Sequence, residues 1–122
     1  MQWYKDKIRL TEGDTYTLEY SMINDAFGKP AGTVSDITMV QNDRLPIVEV
    51  DDYPPEATMR AKHDGMLPPG NGLVSLAVNN LDDIAVDWIK PPSAQSQAPY
   101  LGRRAATTIG PAGELLELIE IG

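Results

Sequence analysis

The sequence predicts an all-β, mostly antiparallel fold: a small β-sandwich or barrel with long Pro/Gly-rich loops and little helix. Three observations lead there. Ten prolines and ten glycines are spread over the 122 residues, so few stretches could propagate a long helix. Residues 15–22 alternate strictly between apolar and polar side chains, with strong β-formers among them, which is the period-two signature of a strand. Further short β-rich runs follow at the roughly 8–12-residue spacing of sandwiches and barrels.

In residues 15–22, Tyr16, Leu18, Tyr20 and Met22 share one face, while Thr15, Thr17, Glu19 and Ser21 share the other. The first set is expected to face the core, with Leu18 and Tyr20 at its centre. Upstream, Thr11-Glu12-Gly13-Asp14 reads as a turn joining this strand to an earlier one at Ile8-Arg9-Leu10. Downstream, the stretch from Asn24 to Gly32 reads as a long loop. Strands are then expected at 37–41, 47–50, 56–62, 73–78 and 84–89. Pro46 should start or border its strand, because proline donates no ladder hydrogen bond.

Residues 73–78 are apolar on both faces, which suits a central strand. The polar Asn79-Asn80-Leu81-Asp82-Asp83 would turn it into a hairpin with 84–89, where Ile84, Val86 and Trp88 point one way. Residues 91–102 have the composition of an extended loop. At the C-terminus (111–122), Leu115, Leu118 and Ile119 could form a helical stripe after Pro111, or 114–121 could form a strand. The strand is favoured, since so short a helix is marginal in water.

The length fits one domain spanning 1–122, able to bury about two-thirds of its unfolded surface. Its hydrophobic content is 42% and its charged content 23%, ordinary values for a soluble globule. No cysteine is present, which removes disulfides, thiolate metal sites and a cysteine nucleophile. The net charge of −8 disfavours duplex nucleic acid and anionic membrane as partners, because their phosphates attract Lys and Arg. The N-terminus has no apolar run of signal-peptide length, and no window approaches the ~20 apolar residues of a spanning helix. A cytoplasmic protein is therefore expected, or one that leaves the cytosol only as part of an assembly.

Catalytic and metal motifs are lacking. His63, the sole histidine, precedes Asp64-Gly65 and reads as a turn residue, since an adjacent Asp on a strand would point to the opposite face and could not orient it. Carboxylates gather at Glu49-Val50-Asp51-Asp52-Tyr53 and at Asp82-Asp83 with Asp87. Neither group follows the alternating-ligand spacing of a calcium loop, so solvated turns are expected. Gly28-Lys29-Pro30-Ala31-Gly32 lacks the spacing of a phosphate loop. No catalytic residue, metal ligand or cofactor is predicted.

Aromatic platforms can stack sugars or meet protein partners. Trp3, Tyr4, Tyr53 and Tyr100 fall near loops or the terminus and outside the core pattern, so they are interface candidates. Leu101, Arg103 and Arg104 join them, since Tyr and Arg are types enriched where proteins meet. The alternative for Tyr100 is a ring folded back onto the sheet.

The run Thr11-Glu12-Gly13-Asp14-Thr15-Tyr16-Thr17-Leu18, followed by the Asp25 to Gly32 loop, resembles the first hairpin of small β-sandwich modules in tailed-phage virions. Such modules occur in baseplate, tail and head-decoration proteins. The resemblance covers about a quarter of the chain. It implies a non-enzymatic structural protein of a virion that works through contacts with other protein subunits, in a homo-oligomer or larger assembly. Two other classes stand beside it: a soluble glycan- or small-ligand-binding module, and an acidic inhibitor that blocks a basic protein surface.

Overall fold

The structure, a computed structural model, describes residues 1–59, 61, 63–66 and 72–122. The all-β, mostly antiparallel class is what it shows: among the described residues there are a three-stranded and a four-stranded sheet, with two short α-helices. The chain divides into two compact units, Met1–Thr58 and Met59–Gly122. No helix among the described residues is long and apolar enough to cross a membrane.

The first unit opens with helix α1 (Gln2–Ile8) instead of the expected strand at Ile8-Arg9-Leu10. Tyr4 is buried and anchors this helix, and Gln2 Nε2 donates to Asp6 Oδ1 one turn on, at 2.7 Å. Arg9 ends it in the left-handed region (φ 59°), and the Leu10 N–H returns to the Tyr4 carbonyl at 3.2 Å.

Strand β1 (Thr11–Glu19) then pairs antiparallel with β2 (Val34–Asn42), which pairs antiparallel with β3 (Leu45–Asp51). The expected turn at Thr11-Glu12-Gly13-Asp14 lies inside β1, as a bulge where the register shifts between Glu12 and Thr15. Gly13 leaves room there for the end of the Gln41 side chain, which a Cβ would displace. Pro46 sits opposite Gln41 beside a second bulge, on an edge strand, as a residue without an N–H requires.

The centre of this unit is on β2, where Ile37, Thr38 and Val40 are buried. Expected core residues on β1 are not: Tyr16 is 48% exposed, Leu18 40% and Met22 65%. Alternation assigned Tyr16 and Leu18 to one face, but β1 is an edge strand and little packs over that face. The strand also stops at Glu19. Tyr20, half-buried, caps helix α2 (Ser21–Ala26), so Ser21 and Met22 are helical and the long loop begins only after Ala26.

No strand forms at the start of 56–62. Glu56 lies in a turn closed by the Ala57 N–H on the Pro54 carbonyl, 57–59 are irregular, and Arg60 and Lys62 lie outside the described residues. His63 begins a turn closed by the Met66 N–H.

In the second unit the strand order is β4-β7-β6-β5, formed by β4 (Leu73–Val78), β5 (Trp88–Ala94), β6 (Arg104–Ile109) and β7 (Leu115–Glu120). The predicted hairpin between 73–78 and 84–89 does not form. Strand β4 instead pairs parallel with β7, register Leu76 to Leu118. It is an edge strand of this sheet, not a central one, with Leu73 and Val74 about half exposed. Residues 79–87 include a 3-10 turn (Leu81–Asp83), and Leu81 and Ile84 are buried there, as are Leu116, Leu118 and Ala106 on the strands.

Part of the expected 91–102 loop is strand. Pro91, Pro92, Ser93 and Ala94 complete β5, an edge strand with two register shifts against β6, where prolines are tolerated. The C-terminal segment is the strand β7, and it is the most buried strand of the unit.

Candidate functional site

The interface candidates fall in both units. Trp3 is half-buried and stacks edge-to-face on Tyr4 (centroids 5.3 Å apart), whose ring belongs to the core of the first unit. Tyr53 is 56% exposed and meets Phe27 edge-to-face at 6.1 Å. Tyr100 folds back onto its own sheet, its hydroxyl donating to Glu117 Oε2 at 2.6 Å. Leu101 and Arg103 stay on the surface, and Arg103 reaches the Tyr100 carbonyl at 3.3 Å. Arg104 is occupied within the unit, forking onto Asp82 and reaching Glu120 at 3.4 Å. Asp82 is held below the usual carboxylate range by that guanidinium.

Three groups of polar side chains could carry chemistry. In the second unit, Glu117 is buried and accepts from both Tyr100 and the Ser75 hydroxyl (2.7 Å). Its lone pairs are therefore well used, and the phenol of Tyr100 is pushed above its ordinary pKa chiefly by donating to that carboxylate.

On β3 in the first unit, Glu49 and Asp51 are two residues apart and so share a sheet face. Partial desolvation beside the sheet, followed by the neighbouring Asp51 charge, pushes the carboxyl of Glu49, itself still solvent-exposed, above its usual range. The same Asp51 charge is the main cause raising Tyr20. Asp51 Oδ1 is buried without a hydrogen-bond partner.

The third group lines a cleft of about 390 Å3 in the first unit. Thr17 from β1 and Val34, Ser35 and Asp36 from β2 meet Asp52, Tyr53, Pro54 and Pro55 just past β3. Asn24 of α2, and Lys29 and Thr33 of the loop after it, complete the wall.

Local chemistry explains why these residues stand there. Thr17 lies directly across from Asp36 in the ladder, and its hydroxyl donates to Asp36 Oδ1 at 2.6 Å. The Asp52 N–H continues that row by donating to the Asp36 carbonyl at 2.9 Å. The loop is tied down by buried Asn24, whose Nδ2 donates to the Thr33 carbonyl at 2.8 Å. Gly32 adopts φ 82°, a left-handed conformation costly for other residues, and presents its N–H to Glu19 Oε1 at 2.7 Å. Lys29 is ion-paired with Glu56, which holds that carboxyl below its usual range.

Tyr53 and the run containing Asp52 stand out in the sequence. Thr17, Asn24, Lys29 and Asp36 do not, because their surroundings carry no motif. Among the described residues, no group of three or more His, Asp or Glu side chains is placed to hold a metal ion.

No protein-family model and no curated protein matches the chain. Its fold is similar to that in a crystal structure of a member of the glyoxalase/bleomycin resistance protein/dioxygenase superfamily from Sphaerobacter thermophilus. The TM-score is 0.51 at 18% identity, over 98% of this chain and 84% of that one. At such identity the likeness is one of fold.

It nevertheless corrects the expectation of a virion accessory protein, and with it the assignment as a non-enzymatic structural component. The solved neighbour belongs to a superfamily named for enzymes and drug resistance. Within the run that carried the phage resemblance, the expected turn is a bulge inside β1, and the loop joining β1 to β2 begins as α2.

Proposed function

We propose that the chain is a small-ligand-binding domain whose site is the cleft of the first unit. The observation that carries this reading is the cleft itself. Its volume of about 390 Å3 falls within the range of ligand pockets, roughly 300–1,000 Å3. Its wall combines apolar surface from Tyr53, Pro54, Pro55 and Val34 with a few converging polar groups from Thr17, Asp36 and Asp52, the mixture by which pockets both desolvate and orient a ligand. The fold of the superfamily member from Sphaerobacter thermophilus supports the same direction.

Fragment screening by NMR on isotope-labelled protein tests the proposal. Binding fragments should shift the amides of Thr17, residues 33–36 and Tyr53 together. A library whose hits all map elsewhere, or that yields none, refutes it.

A further inference from the structure

Among the described residues, the edge strands of the two sheets are β1, β3, β4 and β5. An open edge offers its unpaired N–H and C=O groups to any further strand, and proline, charge and bulges discourage such pairing. Strand β1 has its bulge and carries Glu12, Asp14 and Glu19. Strand β3 has Pro46 beside a register shift, then Glu49 and Asp51. Strand β5 contains Pro91 and Pro92 and two register shifts. Strand β4 has none of these features: Leu73-Val74-Ser75-Leu76-Ala77-Val78 lacks proline and charge, and it follows β7 without a register shift. No ionisable side chain stands anywhere from Gly65 to Leu81, in a chain whose net charge is −8.

The ladder fixes which backbone groups of β4 are open. The Ile121 N–H donates to the Val78 carbonyl at 2.9 Å, so Val78 turns its backbone groups toward β7. These groups alternate sides along a strand. Val74 and Leu76 therefore also face β7, while Leu73, Ser75 and Ala77 turn theirs outward. Among the described residues no strand or loop backbone takes up those outward groups. The side chains are open too. Val74 lies across from buried Leu116, yet it is 50% exposed, and Leu73 on the opposite face is 46% exposed.

We infer that β4 is the seam of a dimer, pairing antiparallel with β4 of a second copy about a two-fold axis at Ser75. Ser75 then meets its own copy. Leu73 meets Ala77 of the second copy on one face, a large side chain against a small one, and Val74 meets Leu76 on the other. The outward N–H and C=O groups of each strand find partners on the other strand. A second copy suits this edge because it brings an uncharged, apolar strand of the same length. Two acidic chains then touch where neither carries charge. A seam of six residues is smaller than a standard interface, so the association is weak and depends on concentration.

Sedimentation equilibrium on the full chain from about 10 μM to about 1 mM should show the mass doubling across that range. Amide hydrogen exchange at the two extremes locates the contact. The amides of Leu73, Ser75 and Ala77 should exchange at least about tenfold more slowly in the concentrated sample, while those of Val74, Leu76 and Val78 stay protected in both. Ala77→Lys puts a charge at the seam from an exposed position. It should weaken association about tenfold or more and leave the thermal midpoint of the dilute protein in place. A single-chain mass at every concentration overturns the inference. So does association that leaves the three outward amides exchanging as in the dilute sample, protection of them that is already complete when dilute, or undiminished association of Ala77→Lys. The exchange comparison uses the unaltered protein, so it decides the matter even where the substitution prevents folding.

Discussion

Burial separates two leucines that look equivalent in the sequence, and truncating each gives a sharp test of the fold. Leu118 of β7 is fully buried, with 0% of its surface exposed, and lies across from Ala106 on one side and Leu76 on the other. Leu118→Ala removes three carbon groups worth about 0.8 kcal/mol each in transfer. It also opens a cavity in a strand hydrogen-bonded on both sides, which has little freedom to collapse. A loss of about 3–4 kcal/mol follows, inside the range of roughly 2.7–5.0 kcal/mol for such truncations.

Leu18 of β1 follows a cleaner alternating pattern, yet 40% of it is exposed. Its truncation should cost about 1 kcal/mol, since less surface returns to water and no enclosed cavity is left. Urea unfolding followed by circular dichroism reads both, with Leu118→Ala moving the midpoint by on the order of 1–2 M for a slope of about 2 kcal/mol per M. Equal losses for the two variants, or a larger loss at Leu18, would show that the burial described for these strands is wrong.

Two further outcomes follow from the second unit. Tyr100→Phe deletes a donor to the buried Glu117 and should lower the thermal midpoint by on the order of a few degrees. The raised pKa of Tyr100 means the hydrogen bond's stabilisation is fully present below the ordinary tyrosine pKa of about 10 and is lost as pH rises through the higher folded value. Absorbance titration at alkaline pH should therefore show late-ionising tyrosines, with one fewer in Tyr100→Phe; an unchanged titration refutes the contact. Asp82 has the opposite sign: its carboxyl is depressed by Arg104, so its contribution is present above the ordinary aspartate pKa of about 4 and lost as pH falls through the folded value. Asp82→Asn should flatten the acid side of the stability profile, and a profile of unchanged steepness would refute the pairing.

The β class is legible in the chain without any structure, because proline, glycine and period-two alternation are properties of neighbouring residues and act locally. Local chemistry also puts Pro46 at the border of its strand, favours a strand at the C-terminus, and separates side chains onto two faces, as with Thr17 and Leu18 on β1. Of the candidate site, the same reasoning marks Tyr53, which breaks the core pattern, and the acidic run containing Asp52.

Which face is covered, and which strands meet, depends on the folded chain. Tyr16 and Leu18 alternate well but are exposed, since alternation does not specify what packs above a face. Strand β4 passes over its sequence neighbour to pair with β7, a choice that depends on side-chain packing between segments far apart in the chain. The helices α1 and α2 are too short to persist on propensity alone, and α1 is anchored by burial of Tyr4. The cleft draws on β1, α2, β2 and two loops, so Thr17, Lys29 and Asp36 acquire a shared role only when the sheet brings them together.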